Sequence, residues 1–426
     1  MGGAYLDMAG SDMENKRRVV LTGLGAVTPI GNSFDAFWKN ALAGTNGVGP
    51  ITRFDGSKFP VRFAAEVKDF RPEDYFDHKL ARRMGRFIQF AYAASLEACR
   101  DAALDLDTTD RERVGILLGS GIGGLDFIEE QKEVLMTRGP EKVSPFLVPM
   151  TTIDMASGQI SIHMDIRGPN YGVSSACATG NNAIGIGFRS IKYGETDVMF
   201  CGGSESAICP VTIAAFSSSR ALSTRNDDPA TASRPFDVDR DGFVVGEGGA
   251  VVILEELEHA RKRGARIYAE MLGFAATGDA YHLTAPHPEG AGAARAMSLA
   301  LQEAGIKPEQ IGHINAHGTS TGLGDIAEAK AVRRVFGEYG TQIPVTATKS
   351  LVGHLLGGSG ALGAACTAKA VATGEIHPTI NIFNQDPECT FNIVRKPFKR
   401  DFDYALANAF GFGGHNTCLV FGKYRD

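Results

Sequence analysis

"ATGNNAIGIGFRSIKYGE" at residues 178–195 and "GGSGALGAACTAKAVATGE" at residues 357–375 echo one another across the chain. Each is rich in glycine and alanine and closes on Gly-Glu, with Gly180 and Gly360 in matching places. Helices so poor in bulky side chains let backbones approach closely, as a helix buried between two sheets requires. The echo predicts a duplicated unit with one such helix in each half.

The surrounding sequence agrees. Apolar runs bounded by glycine recur as "RVVLTGLG", "VGILLGSG", "VMFCGGSES", "GAVVILEE", "HINAHG", "IPVTATKS", "ANAFGFGG" and "TCLVFG", and read as buried strands ending at a common edge. Between them, Met84, Phe87, Ile88, Ala91, Ala94 and Ala98 recur at three- and four-residue spacing and form one apolar helix face. This alternation predicts layered α/β architecture with substantially parallel sheets. A boundary near Gly264, after "EELEHARKRG", divides the chain into halves at 18–264 and 265–426, behind a loose N-terminal extension at 1–17. No long flexible linker marks the boundary, so the halves are expected to pack as one unit.

At 426 residues the chain exceeds the usual single-core size, which again favours two domains or a duplication. A net charge of -6 argues against a general nucleic-acid or membrane-surface binder, since both need a broad positive field. No apolar run approaches the ~20 residues that span a bilayer. The cysteines (Cys99, Cys177, Cys201, Cys209, Cys366, Cys389 and Cys418) form no C-x-x-C pair, so neither a zinc cage nor a disulfide framework is expected, and a cytoplasmic location fits.

"GSGIGG" at residues 119–124 matches G-x-G-x-x-G after a strand-like run. A dinucleotide site also wants an acidic residue closing the next strand about 20 residues on, and "LMTRGPEKVSPF" supplies no strand there. Close chain packing is the better reading. Cys177 sits where an apparent strand at 170–173 turns into a helix running to about Tyr193. A cysteine among alanines is by default a small hydrophobe. A helix start, however, favours thiolate, and lowering a thiol pKa from ~8.5 by about two units raises the thiolate fraction at pH 7 roughly 20-fold.

His317 in "NAHGTST" and His354 in "TKSLVGHLLGGSG", together with Lys349, occupy similar strand-end loops and are candidate partners for that thiol. A metal between the two histidines ranks below catalysis, because no further ligand cluster lies nearby. "NAFGFGGHN" at residues 408–416 is either a plain hairpin turn or a source of oxyanion-stabilising N–H groups screened by Phe410 and Phe412. On these residues a nucleophilic enzyme and a non-catalytic packing role for Cys177 both remain open.

Taken in order, "VSSACATG", "NAHGTST", "TKSLVGHLLGGSG" and "NAFGFGG" resemble the decarboxylating β-ketoacyl-[acyl-carrier-protein] synthases of fatty-acid synthesis, most nearly type II. The likeness runs from Arg18 to Tyr424 and takes in "RPFDVDRDGFVVGEGGAVVILEE". It implies a thiolase-like fold, a five-layer αβαβα sandwich of two duplicated halves, as a cytoplasmic homodimer. It implies a catalytic set of Cys177, His317 and His354 assisted by Lys349 and supported by Glu328. The oxyanion hole falls to the N–H groups of Cys177 and Phe412, within a gating loop of Phe410, Gly411, Phe412 and Gly413. Ile122 and Phe216 then line the acyl pocket, Thr319 and Thr321 hold the pantetheine arm, and Lys79, Arg82, Arg83 and Arg220 dock an acidic acyl carrier protein.

No metal or organic cofactor is implied. A second histidine rather than asparagine points to an elongating enzyme, which adds two carbons from malonyl carrier protein with loss of carbon dioxide. A type I-like synthase, a polyketide ketosynthase of the same chemistry and a thioester hydrolase are the alternatives. The family's "GFGGTN" reads "GFGGHN" here, and His415 is given no catalytic role.

Overall fold

A computed structural model of the chain describes residues 17–425. In the first half, glycine-bounded apolar runs form the strands β1 (Val19–Val27) and β2 (Val114–Gly119), the strand expected ahead of Cys177 forms β3 (Asn170–Val173), and further such runs form β4 (Val198–Glu205) and β5 (Gly248–Glu256). The second half supplies β6 (Ala269–Gly278), β7 (Ile311–Asn315), β8 (Pro344–Thr346), β9 (Asn392–Ile393), β10 (Tyr404–Gly411) and β11 (His415–Gly422).

Among the described residues these strands join in one sheet, in the order β9-β8-β7-β10-β11-β6-β1-β5-β4-β2-β3. The first five run β3-β2-β4-β5-β1, and the second set repeats that order as β8-β7-β10-β11-β6, with β9 added outside β8. Pairing sense repeats as well. β2 is parallel to β3 and β4, as β7 is to β8 and β10, whereas β5 and β11 lie antiparallel to their neighbours. Only Val19, Val20 and Leu21 pair with β6, so a narrow seam joins the halves.

Sequence patterning singled out no strand at β6. Its residues are small and its exposure irregular, with Glu270 and Leu272 partly exposed, so neither a continuous apolar run nor a clean alternation announces it.

The layers stack around two slim helices. α1 (Arg86–Asp101), carrying the predicted apolar face, and α2 (Met155–Met164) cover the outer face of the first set. α4 (Ala291–Ala304) and α5 (Gly322–Phe336) lie outside the second set. Between the two sets run α3 (Thr179–Lys192) and α6 (Ser359–Thr373), completing five αβαβα layers. Their approach depends on the matched glycines. A Cβ at Gly180 would lie 2.3 Å from the Ala361 nitrogen, and one at Gly360 would lie 2.8 Å from the Asn181 nitrogen. Of the expected N-terminal extension, residues 1–16 lie outside the described residues; Arg17 pairs with Asp197 and donates to the Thr196 carbonyl at 2.8 Å.

Candidate active site

β3 ends at Val173 and α3 begins at Thr179, so residues 174–178 form a sharp turn, and Cys177 lies on it. Ala176 there adopts φ 51°, a left-handed conformation that costs a residue with a side chain about 1–3 kcal/mol. The surroundings hold it. Thr179 Oγ1 accepts the Ser175 N–H at 2.9 Å and donates to the Ala176 carbonyl at 2.7 Å, while Asn182 Nδ2 donates to Ser175 Oγ at 2.6 Å. Cys177 thereby lines a cavity of about 260 Å³ together with His317, His354, Phe412, Ile122 and Phe216.

The expected helix-start activation of the thiol is not what this environment gives. Burial pushes Cys177 up to about 11, against the opposing pull of Lys349 and of the Phe412 and Cys177 N–H groups. The helix begins two residues later than Cys177, and removal from water outweighs its partial charge. The site therefore rests as a thiol.

His317 follows β7 and His354 follows the short helix Lys349–Val352, each at the end of a strand-derived loop. Their rings stand 5.7 Å apart, nearly perpendicular. The Leu356 N–H donates to His354 Nδ1 at 3.1 Å, and Ser359 Oγ lies 2.9 Å from the same nitrogen. An Nδ1 that accepts leaves the proton on Nε2, and Nε2 is a buried atom with no partner among the described residues. Lys349 Nζ lies 3.4 Å from His317 Nδ1 and donates to the His317 carbonyl at 2.5 Å, which gives His317 the same Nε2–H tautomer. Burial, followed by the charge of Lys349, holds both imidazoles well below their ordinary pKa. The pair is neutral, and each ring offers an Nε2–H donor.

Glu328 on α5 accepts the N–H groups of His317 and Gly318, both at 2.8 Å, and so fixes the loop that carries His317. Burial raises the Glu328 carboxyl and lowers the Lys349 ammonium. The glycine-rich loop is a tight turn joining β10 to β11, with Gly413 and Gly414 both at positive φ. Phe410 packs 5.5 Å from the His317 ring, and a Cβ at Gly411 would meet the Ser175 carbonyl at 2.7 Å, so the loop lies directly on the Cys177 turn. The segment is a hairpin turn, and its packing places it against the Cys177 turn.

Thr319 and Thr321 line the same cavity, their hydroxyls 2.9 Å apart. Lys79, Arg82, Arg83 and Arg220 are all exposed. None forms an ion pair among the described residues, and Arg83 lies over the Phe146 ring. "GSGIGG" is a close-packed turn, as expected. His317 and His354 gain no third metal ligand among the described residues.

Three contributors escaped sequence reasoning. Ser359 contacts His354, the Phe243 ring stands edge-on to His354 at 5.3 Å, and Glu205 is wholly buried beneath the "GSGIGG" turn. A lone acid closing the apolar run "VMFCGGSES" was the one available signal for Glu205.

Comparison with known proteins follows this geometry. Residues 16–260 match the Beta-ketoacyl synthase, N-terminal domain, and residues 268–383 match the Beta-ketoacyl synthase, C-terminal domain. The 3-oxoacyl-[acyl-carrier-protein] synthase 2 of Synechocystis is 51% identical over 411 residues, covering 96% of this chain and 99% of that protein. Its namesake from Staphylococcus aureus is 49% identical over 413 residues, covering 97% and 100%. Among solved structures, the ishigamide ketosynthase/chain length factor superposes with a TM-score of 0.90 at 37% identity, covering 96% of this chain and 100% of that one. A type II PKS acyl-carrier protein in complex with its ketosynthase bound to the hexaketide gives a TM-score of 0.90 at 32% identity, with the same coverage.

Proposed function

This chain belongs to the β-ketoacyl synthase family, as a condensing acyltransferase, and we propose that it performs the reaction of a 3-oxoacyl-[acyl-carrier-protein] synthase 2. In the first half-reaction the Cys177 sulfur attacks the thioester of an acyl carrier protein. The tetrahedral oxyanion is held by the Cys177 and Phe412 N–H groups, the carrier thiol leaves with the proton that Cys177 gives up, and the acyl group stays on sulfur. In the second, malonyl carrier protein enters, and its thioester carbonyl accepts hydrogen bonds from Nε2–H of His317 and His354. Loss of carbon dioxide leaves an enolate that the same two donors stabilise. Its carbon attacks the acyl thioester and expels the Cys177 thiolate, which regains a proton from solvent, and the product is a 3-oxoacyl carrier protein two carbons longer.

The observation that carries this reading is the buried Nε2 of His354, without a hydrogen-bond partner among the described residues while Nδ1 accepts, beside a second imidazole and a thiol. Two neutral donors suit an oxyanion that must form and then collapse, because they stabilise it without binding carboxylates indiscriminately. Lys349 and Glu328 orient the His317 loop. Ile122 and Phe216 receive the acyl chain, Thr319 and Thr321 the pantetheine arm, and the exposed cations Lys79, Arg82, Arg83 and Arg220 the acidic carrier.

Incubation with an acyl carrier protein thioester and malonyl carrier protein tests the reading. Carbon dioxide and a 3-oxoacyl product are expected, and release of free acid in their place would favour a hydrolase. A second reading, favoured by the likeness to the ketosynthase of a type II PKS, keeps the chemistry and changes the acyl group, so the length and oxidation of accepted acyl chains separate the two.

The working form is a cytoplasmic homodimer. β3 pairs on one side only among the described residues, and Tyr171, Met136, Val148 and Ile162 are exposed on β3 and on the helices beside it in the sequence. Light scattering should give twice the mass of the chain. No helix among the described residues is long and apolar enough to cross a membrane.

A further inference from the structure

The "GSGIGG" turn cradles an acidic group after all, and the group is internal, a carboxyl that burial raises above its ordinary range against the pull of the donors around it. Glu205 closes β4 with its side chain wholly buried. Oε1 accepts from Ser120 Oγ at 2.5 Å, Ile122 N at 3.1 Å and Gly123 N at 3.3 Å. Oε2 accepts from Gly121 N at 2.7 Å and Gly357 N at 3.0 Å. Successive backbone N–H groups in such a turn form a concavity suited to carboxyl oxygens, and here it encloses those of Glu205 with no cation among its hydrogen-bond partners in the described residues.

The donors come from two functional loops. One, residues 120–123, carries Ile122 of the acyl pocket. The other, residues 356–358, follows His354, and Leu356 of that loop, at φ 44°, supplies the N–H that fixes the His354 tautomer. The two loops touch through backbone, since a Cβ at Gly357 would lie 2.4 Å from the Gly121 nitrogen. Leu356 also packs in the apolar cluster that Ile122 and Phe216 join. One carboxyl group therefore holds both the floor of the acyl pocket and the turn that aims a histidine donor.

We propose that Glu205 is a positioning residue that ties the acyl pocket to His354, keeping its Nε2–H aimed for the malonyl half-reaction. The proposal rests on the role given to His354 above. It is isolated from the fold by asking whether Glu205 acts through that histidine. Glu205→Gln turns an amide donor toward N–H groups that need acceptors, which loosens one loop from the other without emptying the site.

The half-reactions are measured separately, as carbon dioxide released from malonyl carrier protein and as acyl-enzyme formed on Cys177 from a two-carbon acyl carrier protein. E205Q is expected to lower kcat for decarboxylation at least about tenfold with KM retained, while acyl transfer stays within about threefold. In a His354→Ala background the same substitution should change decarboxylation by less than about twofold, because the histidine it positions is gone. Ser120→Ala removes one donor from Oε1 and should move the ratio of half-reactions in the same direction by a smaller factor, which keeps the test available if E205Q fails to fold.

Equal loss of both half-reactions, an undiminished decarboxylation rate, or full additivity with His354→Ala would overturn the proposal. Absence of decarboxylation in the unsubstituted enzyme would instead overturn the reading of the site, and the proposal with it.

Discussion

Replacing His354 by alanine tests the division of labour most directly. The change removes one Nε2–H donor from a buried, water-poor position, where a preorganised oxyanion donor typically contributes about 3 kcal/mol. Decarboxylation of malonyl carrier protein should therefore fall about 100- to 1,000-fold. In the proposed mechanism acyl transfer to Cys177 uses other donors, the Cys177 and Phe412 N–H groups, and should change far less. The variant also orphans the Leu356 N–H, which costs about 1–3 kcal/mol of stability, so thermal unfolding is followed alongside to show that the protein stays folded.

Protonation state gives the same reasoning a second edge. Both histidines are held neutral well below the ordinary imidazole range, so wild-type decarboxylation should have no acid limb near pH 6.5. The assay measures initial carbon dioxide release against pH and acyl-enzyme by mass. Loss of acyl transfer with decarboxylation intact would refute the assignment, as would a pH profile that falls through a midpoint near 6.5.

Other expectations are simpler. Because burial raises the Cys177 thiol to about 11, iodoacetamide alkylation should climb with pH, roughly tenfold per unit, and a plateau below pH 8 would restore the activated-thiolate picture. Cys177→Gln should abolish condensation and leave malonyl decarboxylation, since the histidines serve the second half-reaction; loss of both in a folded variant contradicts this. Gly180→Ala places a Cβ against the Ala361 backbone and should lower the denaturant midpoint, with a cost of at least about 1–3 kcal/mol. Arg82→Glu with Arg83→Glu should lower kcat/KM for carrier-bound acyl groups about tenfold, and by much less for a small-molecule thioester.

Much of the fold was legible because buried helices and strands leave strong local marks. Helices squeezed between sheets must be lean, so α3 and α6 carry glycine and alanine where a surface helix would carry lysine and glutamate. Strands buried on both faces are continuous apolar runs, and all eight quoted runs became strands. β6 left no such mark, although it is the strand on which the halves meet. Cys177, His317 and His354 stood out as candidates because each lies beside a glycine-rich loop at a strand end, and the structure brings all three to one cavity.

Everything that depends on which loops meet lay beyond the linear text. Cys177 and His354 are 177 residues apart in the chain, and only the duplicated topology brings their strand ends to one cavity. The protonation of the site was equally hidden, because a helix start favours a thiolate while burial opposes it, and the balance depends on how much water the folded chain removes. "GSGIGG" carries both lessons. Its glycines mark a turn of available N–H groups, but the carboxyl group they enclose, Glu205, comes from a strand 82 residues after Gly123, where only tertiary packing could place it. Residue types and spacing determined the repeated unit and its reactive side chains; packing alone decided their partners, because burial and long-range hydrogen bonds are properties of the assembled layers.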